Sequence, residues 1–312
     1  MTALITGSMA YDTIMVYQGE FADAILPDRV HMLNVAFLVP ELRREFGGCA
    51  GNIAYNLHGL GGQGQAMATV GADFVPYRTR WEELGIDRSR LLTVPDSYTA
   101  QAFITTDLKD NQITAFHPGA MNEAHRQSVP RDAGITLGTV SPDGREGMLQ
   151  HAREFAAAGI PFLFDPGQGL PMFDGAELRS FIEQATWVAV NDYEAQMLSE
   201  RSGWSPAQIA EQVEALIITR GAEGSTIYTD GGQVDIPAAQ PEAVVDPTGC
   251  GDAYRAGLLY GLQRGLDWAQ TGRIASLMGA IKIASAGTQN HALSPERVAQ
   301  RYSAAFGEDF PG

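Results

Sequence analysis

The stretch V-V-D-P-T-G-C-G-D-A-Y-R-A-G-L-L-Y-G-L, Val244 to Leu262, joins two apolar residues, a glycine-rich turn and an apolar-periodic segment without a gap. It reads as strand, tight loop and helix. Gly249 and Gly251 let backbone N–H groups crowd around a ligand with no Cβ in the way, and a helix starting near Asp252 aims its unpaired N–H groups at the same spot. Such a turn is an anion hole. Asp252 stands out, because a carboxylate there opposes the anion the hole receives. From the loop alone two readings stay open. One is an N-cap, contributing about 1 kcal/mol of helix stability. The other is a general base that takes a proton from a hydroxyl while the hole holds a phosphoryl group, an effect of roughly 10²- to 10⁴-fold in rate.

A second glycine loop, F-G-G-C-A-G-N-I-A-Y-N-L-H-G-L-G-G, runs from Phe46 to Gly62 and leads into a helix expected over Asn52 to Leu60. Together, D-P-T-G-C-G-D and this loop resemble the C-terminal and N-terminal signatures of the PfkB (ribokinase) family of carbohydrate and nucleoside kinases. The two motifs lie some 200 residues apart, in the family's order, and the resemblance covers nearly the whole chain. It implies an α/β, ribokinase-like three-layer αβα fold with a mainly parallel central sheet and a small β lid. Residues 1–312 would form one catalytic domain, with lid segments at about 13–40 and 98–118.

The resemblance also implies roles. Asp252 corresponds to the catalytic base, and the N–H groups of Gly249, Cys250 and Gly251 to the cradle of the transferred phosphoryl group. Asp12, expected just past a first strand over Ala3 to Met9, would accept hydrogen bonds from two vicinal sugar hydroxyls; read alone it is a turn aspartate. Gly47 and Gly48 would let backbone approach the sugar and Asn52 would bond a hydroxyl, the plain alternatives being an entry turn and an N-cap. Asn191-Asp192-Tyr193-Glu194 resembles the N-x-x-E motif of the Mg²⁺ and phosphate region, with Glu194 reaching the metal through water; a cap pair is its structural alternative. Thr219, Gly221 and Gly224 match T-x-G-x-x-G, where the chain turns beneath ATP, and otherwise form a glycine turn into a hairpin strand, Ser225 to Thr229. In many relatives the turn equivalent to Ser285-Ala286-Gly287-Thr288, with Asp246 and Thr248, holds a monovalent cation, and the residue types here permit K⁺. The implied cofactors are ATP and Mg²⁺.

The acceptor is narrowed by two features. Asp165-Pro166-Gly167-Gln168 sits where many members carry D-x-N-x-R, and Leu170 replaces the arginine, so a phosphorylated sugar loses one cationic clamp. Asn111 to Met121, N-Q-I-T-A-F-H-P-G-A-M, resembles the corresponding segment of bacterial and archaeal adenosine or nucleoside kinases. A hairpin of Ala100 to Thr106 and Ile113 to Phe116, turning at Lys109-Asp110-Asn111, would carry Phe103, Phe116 and His117 toward a base. The expectation is ATP-dependent phosphorylation of a ribonucleoside 5′-hydroxyl, adenosine first. A free-sugar kinase and a non-catalytic nucleotide-binding relative are the rivals.

The rest of the chain fits that frame. From Ile135 apolar runs alternate with helical patterns: Ile135 to Val140, Arg145 to Ala158, Pro161 to Phe164, Ala176 to Gln184, Trp187 to Val190, Tyr193 to Glu200 and Ala215 to Thr219. This is the signature of βαβ units in a parallel sheet. A further helix is expected over Ile274 to Ala286. The formal charge of −16, with no basic cluster to offset it, disfavours nucleic acid and anionic membrane as partners. Two cysteines, Cys49 and Cys250, make no disulfide framework and suggest a cytoplasmic protein, and no secretory signal or membrane-spanning run is seen. The six histidines lack metal-ligand spacing. The partners expected are the nucleoside and ATP, and a homodimer is compatible with the family. Gly59 to Gly64 satisfies G-x-G-x-x-G but closes a helix before a strand, the reverse of a dinucleotide site, and no Walker motif occurs.

Overall fold

The computed structural model describes residues 1–25, 34–109, 111–131 and 134–312. Pro27 and Asp28 of the first lid segment and Asp110 of the hairpin turn lie outside the described residues. The strands are β1 (Thr2–Thr6), β2 (Ala10–Val16), β3 (Glu41–Gly47), β4 (Gly64–Gly71), β5 (Leu91–Val94), β6 (Ala100–Thr106), β7 (Gln112–His117), β8 (Ile135–Val140), β9 (Phe162–Phe164), β10 (Trp187–Asn191), β11 (Ala215–Thr219), β12 (Ser225–Thr229) and β13 (Gly232–Ile236). The helices are α1 (Phe21–Ala24), α2 (Cys49–Gly59), α3 (Val75–Glu83), α4 (Arg145–Ala158), α5 (Gly175–Gln184), α6 (Asp192–Ser202), α7 (Pro206–Ala210), α8 (Cys250–Arg264), α9 (Trp268–Ile283) and α10 (Pro295–Phe306).

Among the described residues the main sheet has nine strands in the order β13-β12-β11-β10-β9-β8-β1-β4-β5. All neighbours from β11 to β5 pair in parallel, and β12 and β13 add an antiparallel hairpin at one edge. The strands are apolar on both sides because both sides are covered. Trp187, Ala189, Ala215 and Ile217 face a layer that includes α2, α3, α8, α9 and α10, whereas Val188, Val190, Leu216 and Ile218 face α4, α5, α6 and α7. This is the three-layer αβα architecture.

A second sheet of four strands, β3-β2-β6-β7, stands beside the first and forms the lid. The chain leaves β1 at Thr6, turns, and re-enters as β2 at Ala10, so the lid grows directly from the end of a central strand. Two expectations are corrected here. The first strand stops at Thr6, not Met9, and Asp12 lies within lid strand β2 instead of just beyond β1. Val244 and Val245 form no strand: both side chains are more than half exposed, and the Val245 and Asp246 amides donate to the Ile283 carbonyl at the end of α9. Two apolar residues without a neighbouring strand satisfy their backbone on a helix end instead.

Candidate active site

Helix α8 starts at Cys250, two residues earlier than expected, and Gly249 is its cap residue with φ 78°. A Cβ at Gly249 would also come within 2.9 Å of Thr288 Cγ2, so both backbone and space require glycine. The amides of Cys250, Gly251 and Asp252 are the first of the helix; that of Cys250 points back to the Pro247 carbonyl at 3.2 Å. Asp252 therefore sits inside the first turn and makes no cap hydrogen bond, which removes the N-cap reading. Its Oδ2 accepts from Asn52 Nδ2 at 2.7 Å. Burial pushes its carboxyl up to about 7, against the Asn52 hydrogen bond and the Arg255 and Cys49 contributions, with the Asp165 charge adding to the rise. A carboxylate at that level exchanges protons near neutrality.

Asn52 is no cap either. Helix α2 begins at Cys49 with Gly48 as cap, whose φ of 89° and a would-be Cβ 2.5 Å from the Ser8 carbonyl demand glycine. Asn52 lies buried in the first turn of α2, and its Oδ1 accepts from Gln289 Nε2 at 3.0 Å. Because Gln289 offers N–H to that oxygen, the other end of the Asn52 amide must present its own N–H to Asp252. Gln289 is fixed in turn: its Nε2 meets the Tyr77 hydroxyl, its Oε1 accepts from Trp81 Nε1 at 3.4 Å, and its carbonyl accepts from Arg80. The sequence reading missed Gln289, since its partners lie more than 200 residues away.

Asp12 faces the second glycine loop. A Cβ on Gly47 would fall 2.7 Å from Asp12 Oδ2, so glycine is what lets this carboxylate lie against the loop. Burial, and then the charges of Asp246 and Glu45, push the Asp12 carboxyl up to about 6. The turn after α9 is bound to lid strand β3, with Thr288 Oγ1 donating to the Phe46 carbonyl at 2.5 Å and Asn290 Nδ2 to Glu45 Oε2 at 2.7 Å. Contacts thus link Asp12 to Gly47, Gly249 to Thr288 and through it to Phe46, and Asn52 to Asp252, where the lid sheet meets α2 and α8.

The remaining motifs divide. Asn191 and Glu194 form a reciprocal capping box on α6, Asn191 Oδ1 accepting from the Glu194 amide at 2.7 Å and Glu194 Oε2 from the Asn191 amide at 2.8 Å. Glu194 Oε2 also lies 3.9 Å from Arg255, and burial together with Asp165 raises its carboxyl pKa. Arg255, one turn after Asp252 on α8, is buried and donates to Asp165 Oδ1 at 2.9 Å and to the Ala189 carbonyl at 3.2 Å. Sequence reasoning passed over it, although an arginine inside the apolar face of Val244 to Leu262 marked a buried partner. Asp165, which opens the motif lacking its usual arginine, is neutralised by this one instead. Thr219 ends β11, and Gly221 and Gly224 turn the chain with φ of 53° and 85°; a Cβ at Gly224 would meet the Ile236 carbonyl. Phe116 lies on lid strand β7, whose residues are all exposed.

Asp246 Oδ1 accepts from the Thr248 amide and Oδ2 from the Gly287 amide, each at 2.9 Å. Burial would raise its carboxyl pKa, but these hydrogen bonds and Lys282 hold it below the ordinary carboxylate value. Lys282 Nζ lies among the same groups, 2.6 Å from the Asp246 carbonyl and 3.3 Å from that of Ser285. The Lys282 ammonium thus bridges the Asp246 loop and the turn after α9, the two segments expected to border a monovalent cation.

A lidded αβα sheet whose glycine loop places a carboxylate at a helix N-terminus is a ribokinase-like phosphotransferase with an alcohol group as acceptor. The chain belongs to the pfkB family of carbohydrate kinases, whose family model matches residues 6–296. It is similar to the nucleoside kinase of Methanocaldococcus jannaschii, at 30% identity over 86% of this chain and 89% of that one. Among solved structures it is similar to the nucleoside kinase of Burkholderia thailandensis in complex with inosine, at 54% identity and TM-score 0.90 over 99% of this chain and 100% of that one. The same Burkholderia enzyme in complex with ADP-inosine matches at 56% identity and TM-score 0.88, over 99% and 98%. Among the described residues no helix is long and apolar enough to cross a membrane.

Proposed function

We propose that this protein transfers the γ-phosphate of ATP to the 5′-hydroxyl of a purine ribonucleoside, with adenosine and inosine as its first candidates. The observation that carries the reading is Asp252, a carboxylate at the N-terminus of α8 with one oxygen held by Asn52 and its pKa raised to about 7. Its Oδ1 is then the oxygen that takes the hydroxyl proton as the new O–P bond forms and the bond to the departing ADP oxygen breaks. The amides of Gly249 and Gly251 receive charge spreading over the phosphoryl oxygens, each such preorganised donor contributing about 3 kcal/mol, and the Cys250 amide joins them by giving up its bond to the Pro247 carbonyl. Asp12 anchors the ribose hydroxyls, with Gly47 and Gly48 giving the sugar close backbone contact. Asn191, Thr219, Gly221 and Gly224 border the nucleotide. Glu194, partly exposed and only partly neutralised by Arg255, suits an Mg²⁺ that keeps its waters and arrives with the ATP phosphates. A Mg²⁺ held there would supply charge neutralisation on the phosphates.

Similarity to nucleoside kinases across nearly the full chain supports the nucleoside over a free sugar. The intact Asp252 and anion hole weigh against a non-catalytic binder. The test is ATP consumption with Mg²⁺ against adenosine, inosine, guanosine, cytidine, ribose and fructose. Turnover is expected with the purine nucleosides; turnover with ribose or fructose alone would reassign the acceptor.

A further inference from the structure

Lys282 is the only charged side chain between Arg273 and Glu296. It lies in the last turn of α9 and is fully buried. Its three N–H donors need acceptors where water is excluded. Nζ finds the Asp246 carbonyl at 2.6 Å and the Ser285 carbonyl at 3.3 Å, with Asp246 Oδ1 at 3.9 Å. These are the oxygens of the loop before the anion hole and of the turn after α9, the two segments to which sequence reasoning assigned a K⁺. One pair of carbonyls cannot serve two cations, since a second ion at this depth would meet the ammonium charge with little solvent to screen it.

We propose that the Lys282 ammonium is the built-in cation of this site and that the enzyme turns over without K⁺ or any other free monovalent ion. The surrounding geometry gives the charge a mechanical role. Asp246 is bound to the end of α9 by its own amide and by that of Val245, both donating to the Ile283 carbonyl, and by the Gly287 amide on its carboxylate. Lys282 closes this knot from inside at Asp246, which lies three residues before Gly249, so it holds the anion-hole loop in place. A cation at the C-terminal end of α9 also sits favourably with the helix dipole.

The experiment replaces choline chloride stepwise with KCl at fixed ionic strength and follows both inosine phosphorylation and thermal melting. For the native enzyme both are expected to change by less than about twofold in rate and within error in Tm; a saturable K⁺-dependent rise in either overturns the proposal. Lys282→Met in choline is expected to lose at least about tenfold in turnover, with KCl or NH₄Cl raising its Tm and restoring part of the rate. A Lys282→Met enzyme as active as the native one in choline, or a folded one indifferent to both ions, overturns it as well. Should the variant not fold, the native titration decides alone. The inference rests on the kinase reading only for its activity readout. Melting needs no turnover, so a failure of the substrate assignment leaves it testable.

Discussion

At the scale of single residues, the site is a set of opposed demands on carboxylates. Asp252 is pushed up to about 7 by burial and restrained by Asn52, so it is half ionised near neutral pH. With Asp252 as the proposed base, only its carboxylate accepts the hydroxyl proton, and the rate is expected to fall as pH drops through about 7. Asp252→Asn is expected to reduce kcat by at least about 10²-fold and to abolish this acidic limb. A kcat within twofold of the native enzyme, at any pH measured, would remove Asp252 from the base role. Asn replaces Asp here without loss of a cap, because the structure shows that Asp252 caps nothing.

At the scale of elements, α8 carries the site through one buried face. Asp252 and Arg255 are three residues apart and project to the same side, so the helix presents carboxylate and guanidinium together. Arg255 neutralises Asp165 in a buried pair, and removing one partner leaves an uncompensated charge. Arg255→Met is expected to lower stability by about 3 kcal/mol in urea unfolding, and the double variant with Asp165→Leu to recover most of it. The single variant should also move the acidic limb of the rate profile upward, since Arg255 holds the Asp252 pKa down. Unchanged stability and an unmoved limb would show the pair to be dispensable. The elements themselves were unevenly legible. Ile135 to Val140, Arg145 to Ala158 and Ala215 to Thr219 fall where the apolar pattern places them, because a strand or helix buried against the core writes its period into the chain. Strand β3 does not, since Glu41-Leu42-Arg43-Arg44-Glu45 is mostly charged and pairs only within the lid. Helix α3, V-P-Y-R-T-R-W-E-E, buries just Tyr77 and Trp81 and shows no clear stripe.

At the scale of the whole molecule, two sheets of different character meet at the site. The main sheet is covered on both faces, whereas the lid has an exposed outer strand, β7, and touches the C-terminal turn through Thr288 and Asn290. Local openings follow such differences in burial. Amide exchange in β2, β3, β6 and β7 is expected to slow when inosine is added, with β10 and β11 unchanged. Equal exchange with and without inosine would mean that the small sheet does not close over the acceptor.

The sequence by itself determined the family, the parallel sheet and the glycine loops with Asp252, because each of these depends on residues close together in the chain. A glycine turn and an apolar run are local features, although the first residue of α2 and of α8 and the last of β1 fell elsewhere than the pattern places them. Tertiary structure alone decided that Asp12 belongs to the lid and that Val244 and Val245 make no strand, whereas the Asn191–Glu194 cap was already an alternative in the local pattern. It also decided which groups surround Asp252 and the loop before it. Gln289 reaches Asn52 across 237 positions, Arg255 reaches Asp165 across 90 and Lys282 reaches Asp246 across 36. Periodicity says that such a side chain is buried. Only folding selects its partner, because burial forces every polar group to find one and the chain brings many candidates within reach.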